Sequence, residues 1–323
     1  MSGFTIGSFN LLKLGEQTVQ QRVRDWGKIS QIIRDQRIDI LAVQEVFSEA
    51  PVQELVTYLN HSAFSTWEYR FAASLTCGNQ RREGYAFIWN KKRISLLPKE
   101  NGLFAEPTLQ NRYSRTLVRP PYVGRFIPVG NCVPYIEIRI ICTHIIFSEN
   151  LYLKDKNNSL SDLELRKNEY MKLINSVYPG IADMRDGVFR PAYTFITGDY
   201  NLSLRKGQIS ECQATFSSKE MHSSQNKPTT LAFSPSSEQS SGYTDNDYDH
   251  FTCSGHEHPY IHSVDRIDGP QYFSGADSYS QYRKQVSDHV PIKMFFDVSS
   301  HAKGVIPQPL AGLFDLIKFT PSV

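Results

Sequence analysis

The sequence predicts an α+β fold in which two β-sheets pack face to face and helices cover their outer faces. Short apolar runs typical of strands recur along the chain, and helical patterns separate only some of them. Because several strands follow one another without an intervening helix, a doubly wound parallel sheet is not expected. The length of 323 residues exceeds that of most single domains, but layered β-sandwiches of this size often form one unit.

The N-terminal part of the chain carries signals for two strands and two helices. Phe4–Asn10 alternates as a strand does, and the apolar residues from Val23 to Ile33 recur every three to four positions, as on one helical face. Ile38–Val43 is a short apolar run that predicts a buried strand, and a helix is expected over Val52–Leu59.

Strands dominate the rest of the chain. Tyr85–Asn90 and Tyr135–Ile146 predict two of them. Ser161–Val177 predicts a helix, because Ser161 and Glu164 three residues later form the capping-box pattern. Three further strands are expected at Tyr193–Thr197, Asp249–Cys253 and Ile292–Val298.

Two segments lack the pattern of packed elements. Ser217–Asp247 is rich in Ser, Thr, Gln and Asn and predicts a long mobile loop, and insertions of that length are often functional. After Ser299, prolines surround the apolar run Leu310–Ile317, which is expected to pack back on the domain or to bind a partner. We therefore expect one domain over residues 1–298 and a C-terminal tail over residues 299–323.

Composition excludes several classes of protein. Hydrophobic residues make up 40% and charged residues 21%, as in soluble globular proteins, and no apolar run approaches the roughly 20 residues of a membrane helix. The N-terminus lacks the basic and apolar segments of a secretory signal. The cysteines are odd in number and scattered, at Cys77, Cys132, Cys142, Cys212 and Cys253. They favour free thiols and a cytoplasmic protein, although a processed secreted chain would look the same.

Positive charge is concentrated in one segment. The net charge is only +2, but ten Lys and Arg residues against three acidic residues lie between Arg81 and Arg125. Such an excess favours a polyanionic ligand, and the aromatic residues interleaved with it suit nucleic acid. The structural alternative is a solvated basic surface with aromatic side chains in the core.

Polar residues next to the ends of apolar strands form a candidate site. They are Asn10, Glu45, His144, Asp199, Asn201, Asp288 and His289. Residues at the strand ends of a rigid scaffold are well placed to converge. Carboxylates suit Mg²⁺, and two histidines can act as general base and general acid. Metal-assisted phosphodiester hydrolysis requires this set of groups.

The same residues stand in motifs that resemble those of the endonuclease/exonuclease/phosphatase superfamily. In order, the motifs are Ser8-Phe9-Asn10, Val43-Gln44-Glu45-Val46, Thr143-His144, Thr197-Gly198-Asp199-Tyr200-Asn201 and Ser287-Asp288-His289-Val290-Pro291. A GD(F/Y)N motif followed by SDHxP, with QE upstream, is a specific joint signal. The resemblance spans residues 4–298 and implies a four-layer α/β/β/α sandwich with the site at one edge of the paired sheets.

Within that superfamily the chain is most similar to the deoxyribonuclease I branch. The REGYAF segment around Glu83 resembles the segment whose Glu supports the first catalytic His, which implies that Glu83 pairs with His144. The YDH segment around Asp249 resembles the YDR segment of that branch, with His250 in place of the usual Arg. On this match Asp249 is the partner of His289.

A further match concerns phosphate binding. Ser114–Val123 resembles the arginine-bearing strand of the deoxyribonuclease I branch, which implies that Arg119 or Arg115 grips a phosphate. The spacing to the strand favours Arg119. Asn201 is expected to orient or bind the phosphate as well.

The resemblance implies a Mg²⁺-dependent endonuclease acting on DNA, with Mn²⁺ or Ca²⁺ as alternative ions. Glu45, assisted by Asn10 and with Asp288 nearby, would hold the metal. His289 would activate the water, and His144 would protonate the leaving oxygen or bind the phosphate. The two histidines could exchange these roles.

Other readings of the same residues remain open. The scaffold also serves lipid and inositol phosphoesterases, such as sphingomyelinase-like enzymes, and RNA nucleases. A non-catalytic binding protein on a degenerate scaffold is the alternative from another class, and the complete set of acids, amides and histidines argues against it. The histidine-rich run Gly255–His262 could form a second metal site, but a surface loop is expected there because no helical His pair or Cys partner accompanies it.

Overall fold

The structure, a computed structural model, describes residues 3–16, 23–61, 66–73, 83–99, 101–130, 135–147, 160–184, 190–216, 220–225, 227–237 and 239–298. The elements in chain order are β1 (Phe4–Leu14), α1 (Trp26–Asp35), β2 (Ile40–Val46), α2 (Ala50–Asn60), β3 (Trp67–Ala73), β4 (Gly84–Asn90), β5 (Ile94–Leu96), β6 (Thr108–Leu109), β7 (Tyr122–Pro128), β8 (Glu137–His144), α3 (Asp162–Lys172), α4 (Tyr178–Ala182), β9 (Ala192–Asp199), α5 (Gln208–Phe216), β10 (Met221–Ser224), β11 (Asp249–Ser254), β12 (Ile261–Arg266), α6 (Ser278–Gln285) and β13 (Ile292–Phe296).

The strands form two sheets. Sheet 1 has the order β12-β13-β1-β2-β4-β3, and sheet 2 has the order β10-β11-β9-β8-β7-β5, with the short strand β6 paired to β7. The central pair of each sheet is parallel, β1 with β2 and β8 with β9. Parallel neighbours end at the same edge of a sheet, so the carboxyl ends of these four strands are available to build one site.

Successive side chains along the strands point to opposite faces of each sheet, so that one face packs against the other sheet and the opposite face packs against helices. On β2, Ile40 and Ala42 pack into the cluster between the sheets, where they meet residues of sheet 2 such as Ile138 and Phe195. The intervening residues Leu41 and Val43 face the other way and pack against α1, α2 and α6. Sheet 2 has a matching outer cluster with α3, α4 and α5. The predicted α+β, four-layer α/β/β/α fold is therefore confirmed.

The helix predicted over Ser161–Val177 begins as expected but is not uniform. Ser161 caps α3, and its backbone N–H donates to Glu164 Oε2 at 2.7 Å, which completes the capping box. After Lys172 the chain widens into a π-helical turn over Leu173–Val177 and continues as α4.

Two sequence expectations are wrong in the described residues. Val23 precedes α1 and is 82% exposed, so it does not belong to the buried face of that helix. The segment expected to be a long loop includes β10, and bridges such as Leu231 to Tyr243 order its later part. Backbone pairing of this kind needs no apolar pattern, which is why composition did not reveal it.

Some expectations lie outside the described residues, including the tail over residues 299–323 and two of the cysteines, Cys77 and Cys132. Cys142, Cys212 and Cys253 are buried free thiols. In the described part of the chain, no helix is long and apolar enough to span a membrane.

Candidate active site

The carboxyl ends of the central strands bring the predicted residues to one edge of the two sheets. Asn10 lies on β1 where its regular pairing with β2 ends, Glu45 lies near the end of β2, and His144 and Asp199 are register partners at the ends of β8 and β9. Asn10 Nδ2 donates to Asp199 Oδ2 at 3.1 Å, which joins sheet 1 to sheet 2 at this edge.

Asp199 is the centre of the arrangement. Its Oδ2 lies 3.6 Å from His144 Nε2 and 3.5 Å from His289 Nε2. Its Oδ1 accepts a hydrogen bond of 2.9 Å from the backbone N–H of Asn201. Only 2% of the Asp199 side chain is exposed, so its charge acts on both imidazoles with little screening by water.

His144 is held by a buried ion-pair chain. Its Nδ1 contacts Glu83 Oε1, and Glu83 Oε2 lies 2.8 Å from Arg119 Nη2. Burial alone would raise the pKa of Glu83, but the positive charges of Arg119 and His144 outweigh it and lower that pKa to about 2. Burial and the Arg119 charge lower the pKa of His144, yet Glu83 and Asp199 raise it overall. The predicted pairing of Glu83 with His144 is present in the structure.

His289 has its own carboxylate. Its Nδ1 lies 2.8 Å from Asp249 Oδ2. Burial lowers the pKa of His289, but the charges of Asp249 and Asp199 outweigh it and raise the pKa well above its usual value. The two imidazoles are therefore arranged alike, each with Nδ1 on a carboxylate and Nε2 directed at the same oxygen of Asp199. An Nδ1 contact of this kind fixes the orientation of the ring and so leaves Nε2 facing Asp199.

Backbone strain accompanies the site. Glu45 and Asn201 have φ values of 57° and 49°, in the left-handed region that residues other than glycine rarely adopt. Strained residues persist where the surrounding structure holds them, and they cluster at functional sites. Here the Asn201 Nδ2 donates to the Ile145 carbonyl at 2.9 Å, and the Glu45 carboxylate accepts from Asn10 Nδ2 and from the Lys13 backbone N–H, both at 2.9 Å.

Glu45, Asn10 and Asp288 provide oxygen ligands suited to a hard cation. Burial and the nearby negative charges of Glu83 and Asp288 raise the pKa of Glu45, although His144 lowers it. Asp288 Oδ1 is buried and has no hydrogen-bond partner within the described residues. The described residues contain no group of three His, Cys, Asp or Glu side chains that could hold an ion alone. Two carboxylates and an amide fit Mg²⁺, which keeps several waters.

Comparison with solved structures identifies the fold. An endonuclease/exonuclease/phosphatase family protein from Bacteroides thetaiotaomicron is 15% identical, with a TM-score of 0.53 over 92% of this chain and 98% of that one. This chain has the endonuclease/exonuclease/phosphatase fold. The mannosyl-6-phosphatase of the same organism is 13% identical, covering 90% and 98% with a TM-score of 0.53. D. rerio TDP2 complexed with a single-strand DNA product is 16% identical, covering 92% and 100% with a TM-score of 0.53. No family model and no curated protein matches the sequence.

On this fold the two candidate phosphate-binding arginines have different surroundings. Arg119 is 5% exposed, and besides Glu83 it reaches the His144 carbonyl, 3.4 Å from its Nη1. Arg115, in contrast, is exposed. His250, which replaces the Arg of the deoxyribonuclease I motif, is buried and contacts the Leu202 carbonyl through Nε2 at 3.0 Å. It therefore faces the interior.

Arg119 lies at the site, but other cations of the basic segment lie away from it. Lys91–Arg93 follows Asn90, at the opposite end of β4 from Glu83, and a seven-residue strand spans about 20 Å. Arg93 Nε lies 2.8 Å from Asp39, and Arg125 Nε lies 2.6 Å from Glu137. These ion pairs stabilise the sheets, so Arg93 and Arg125 have a structural role.

A groove lies next to Arg283, a residue that contacts Asp288. It has a volume of about 1200 Å³ and is lined by the residues before α1, by α6 and by the segment around Phe233. Arg283 lines the groove and contacts a residue of the candidate site: its Nη2 is 3.8 Å from Asp288 Oδ2, and its guanidinium is 3.9 Å from the centre of the Phe233 ring. Phe233 remains 43% exposed.

Glu257 anchors the turn within the histidine-rich run Gly255–His262. Glu257 is buried and accepts hydrogen bonds from the Tyr178 hydroxyl at 2.9 Å and from the Thr194 backbone N–H at 3.2 Å. Its carboxylate thus ties the turn after β11 to α4 and β9 rather than facing the solvent.

Sequence reasoning missed three residues that support the site. The Tyr85 hydroxyl accepts from the His144 backbone N–H at 3.2 Å. Arg166 and Glu169 of α3 bind backbone groups of the segments that follow β8 and β9. The i,i+3 spacing of an Arg and a Glu on one helix was a usable signal, but it usually indicates a surface ion pair.

Proposed function

We propose that this chain is a divalent-metal-dependent phosphodiesterase, and specifically a deoxyribonuclease I-like endonuclease that hydrolyses DNA, with residues 1–298 as its catalytic domain. One observation carries the proposal. Two histidines, each with Nδ1 on a buried carboxylate, direct Nε2 at Asp199 Oδ2 from 3.5 and 3.6 Å. Opposed imidazoles of this kind can remove a proton on one side of a phosphate and deliver one on the other.

In the proposed reaction His289 accepts a proton at Nε2 from the attacking water, while the water oxygen forms a bond to phosphorus. Asp249 stabilises the imidazolium that results. The bond between phosphorus and the leaving oxygen breaks, and His144 donates its Nε2 proton to that oxygen. Asp199 keeps both rings oriented. A divalent cation, when bound, would stabilise the negative charge that develops on the phosphate.

The remaining residues of the site would bind the phosphodiester or the metal. Glu45, Asn10 and Asp288 would hold Mg²⁺, with Mn²⁺ or Ca²⁺ as alternatives, because their oxygens suit hard cations. Arg119 and Asn201 would contact the phosphate, since a guanidinium binds phosphate oxygens through charge-assisted hydrogen bonds. Of the two candidate arginines we assign this role to Arg119, because it contacts Glu83, the partner of His144, whereas Arg115 is exposed.

Two observations support DNA as the proposed substrate. A similar fold, that of D. rerio TDP2, is known with a bound single-strand DNA product. The groove lined by Arg283 presents the half-exposed ring of Phe233 against that guanidinium, and aromatic rings next to cations stack nucleobases of any sequence. The buried free thiols Cys142, Cys212 and Cys253 favour a cytoplasmic enzyme.

The second candidate is a phosphatase for a small phosphoester, such as a sugar, inositol or lipid phosphate. The mannosyl-6-phosphatase shares the fold, and the ion pairs of Arg93 and Arg125 leave less free positive charge than the sequence suggested. Such an enzyme would need the same histidines and metal but no extended polyanion surface.

A substrate panel tests the proposal. Supercoiled plasmid, single-stranded DNA, RNA, sphingomyelin, an inositol phosphate and mannose 6-phosphate are each incubated with the protein in Mg²⁺ and in EDTA. His144→Ala/His289→Ala, purified in parallel, controls for contaminating nuclease. Nicking of plasmid that requires Mg²⁺ and is absent from the double variant supports the proposal. Hydrolysis of a small phosphomonoester with all nucleic acids left intact supports the second candidate instead.

A further inference from the structure

Two charged side chains on α3 bind the backbone of the candidate site rather than each other. Glu169 is buried. Its Oε1 accepts a hydrogen bond of 2.5 Å from the backbone N–H of Val118, and its Oε2 accepts one of 2.9 Å from the backbone N–H of Ile146. One carboxylate therefore joins the residue preceding Arg119 to the residue two places after His144.

Arg166, one turn earlier on the same helix, binds carbonyl groups. Its Nε donates to the Phe147 carbonyl at 3.0 Å, and its Nη1 donates to the Asn201 carbonyl at 3.0 Å. Its guanidinium also lies 4.7 Å from the centre of the Phe147 ring. The same helix face thus holds the segment after β8 and the strained residue after β9.

From these contacts we propose that Glu169 and Arg166 are positioning residues, through which α3 sets the relative placement of Arg119, His144 and Asn201. The inference rests on the proposed function, because those three residues matter only if the site binds and cleaves a phosphoester. Neither α3 residue would touch the substrate.

The segments involved depend on this support. The Ile145 N–H still donates to Asp199 across the strand pair at 2.9 Å, but the next N–H, that of Ile146, donates to Glu169. Arg119 lies between β6 and β7, outside the regular strand pairing. Catalytic groups must be held within about 0.5 Å of their productive geometry. A helix is a suitable support because it is more rigid than a loop.

The residue types fit the two tasks. Burial raises the pKa of Glu169, while the hydrogen bonds from Ile146 and Val118 and the charges of Arg119 and His144 oppose that rise. Its ionised carboxylate offers two acceptor oxygens for the two N–H groups. Glutamine has one acceptor oxygen and an NH₂ that would face the second N–H, so Glu169→Gln keeps the shape but loses one contact. A guanidinium binds two carbonyls in fixed geometry, which a lysine ammonium cannot reproduce.

The test compares Glu169→Gln and Arg166→Lys with Lys167→Ala, which changes an exposed ion pair on the same helix (Lys167 Nζ to Glu211 Oε2, 2.5 Å). Each variant is assayed for kcat and KM on a small chromogenic phosphodiester, for Tm, and for the NMR shift and titration midpoint of the His144 imidazole. We expect kcat to fall roughly 10- to 100-fold in both positioning variants, since a displacement of about 1 Å costs about that much. KM should change less than about threefold, the His144 signal should move, and Lys167→Ala should match wild type.

The inference would be overturned if Glu169→Gln and Arg166→Lys had a lower Tm but kept the wild-type kcat and an unchanged His144 signal. Both residues would then only stabilise the fold. Should Glu169→Gln not fold, Arg166→Lys alone decides, because it retains the charge and most of the side chain. Should wild type cleave no phosphoester, the proposed function fails, while the His144 signal still tests the positioning role separately.

Discussion

Replacing Asp249 with Asn removes the negative charge beside His289 while nearly preserving the shape. Asp249 Oδ2 lies 2.8 Å from His289 Nδ1, and the Asp249 side chain is 1% exposed. Asn can still accept the hydrogen bond from Nδ1–H through its own oxygen. What disappears is the stabilisation of the imidazolium formed when His289 takes a proton from water.

The size of that loss follows from Coulomb's law. Opposite unit charges about 4 Å apart attract by about 4 kcal/mol at an effective dielectric constant of about 20. Each decade in rate corresponds to about 1.4 kcal/mol, so the upper limit is about a thousandfold. Because the hydrogen bond remains, we expect Asp249→Asn to lower kcat by roughly 100- to 1000-fold with little change in KM.

The pH dependence of kcat/KM should also change in Asp249→Asn, and the direction of the change follows from the pKa of His289. A general base must be neutral to act, so activity rises as pH rises through its pKa. Asp249 raises the pKa of His289, so its removal should lower that pKa and move the acid limb of the kcat/KM profile to lower pH.

The assay is the pH profile of kcat/KM on a chromogenic phosphodiester for wild type and for Asp249→Asn. Asp245→Asn, the same chemical change at an exposed position of the same segment, is the matched control. An acid limb that stays in place or moves to higher pH, or an equal loss in Asp245→Asn, would refute the reasoning.

Four further predictions concern the metal, the pairing of Glu83 with His144, the salt dependence of DNA cleavage and the role of Arg119. EDTA should abolish activity, because a bound divalent metal would stabilise the charge of the transition state. Glu45→Gln should lower kcat by about 100-fold or more, with the fold intact by circular dichroism. Full activity in EDTA would exclude the metal role. The kcat of the double variant Glu83→Ala/His144→Ala should be only slightly lower than that of His144→Ala, because the effects of residues that act as a unit are not additive. Losses in kcat that multiply would contradict the pairing. Plasmid cleavage at sub-saturating DNA should fall steeply between about 50 and 200 mM salt. Arg119→Ala should slow plasmid and small-phosphodiester cleavage alike; a loss confined to plasmid would place Arg119 away from the scissile phosphate.

The sequence predicted those parts of the fold that rest on apolar pattern. The runs ending at Glu45, His144 and Asp199 are buried central strands, and their pattern located both the sheets and the candidate residues. Strands with charged or exposed side chains escaped prediction. β3 carries Glu68 and Arg70, which pair with each other at 3.0 Å, and backbone pairing to β4 holds that strand at the sheet edge.

Side-chain pairing at the site was predictable only through the family resemblance. Glu83 is separated from His144 by 61 positions and Asp249 from His289 by 40, so no local periodicity connects them. The local excess of positive charge could not be interpreted from sequence alone: Arg93 and Arg125 pair with acidic residues of the sheets, and residue counts cannot distinguish such pairs from free surface charge. The contacts of α3 with backbone groups could not be predicted from the sequence. Every residue except proline has a backbone N–H and a carbonyl, so the residue type at the partner position gives no indication of such a contact.

The left-handed backbone at Glu45 and Asn201 bears on how this protein would respond to selection for thermal stability. A non-glycine residue in that region costs roughly 1–2 kcal/mol, and Glu45 is also a carboxylate whose pKa burial raises. Glycine at either position relieves the backbone cost and discards the functional side chain. A library selected only for heat resistance should therefore accumulate glycine at these two positions, and the most heat-resistant clones should include inactive ones.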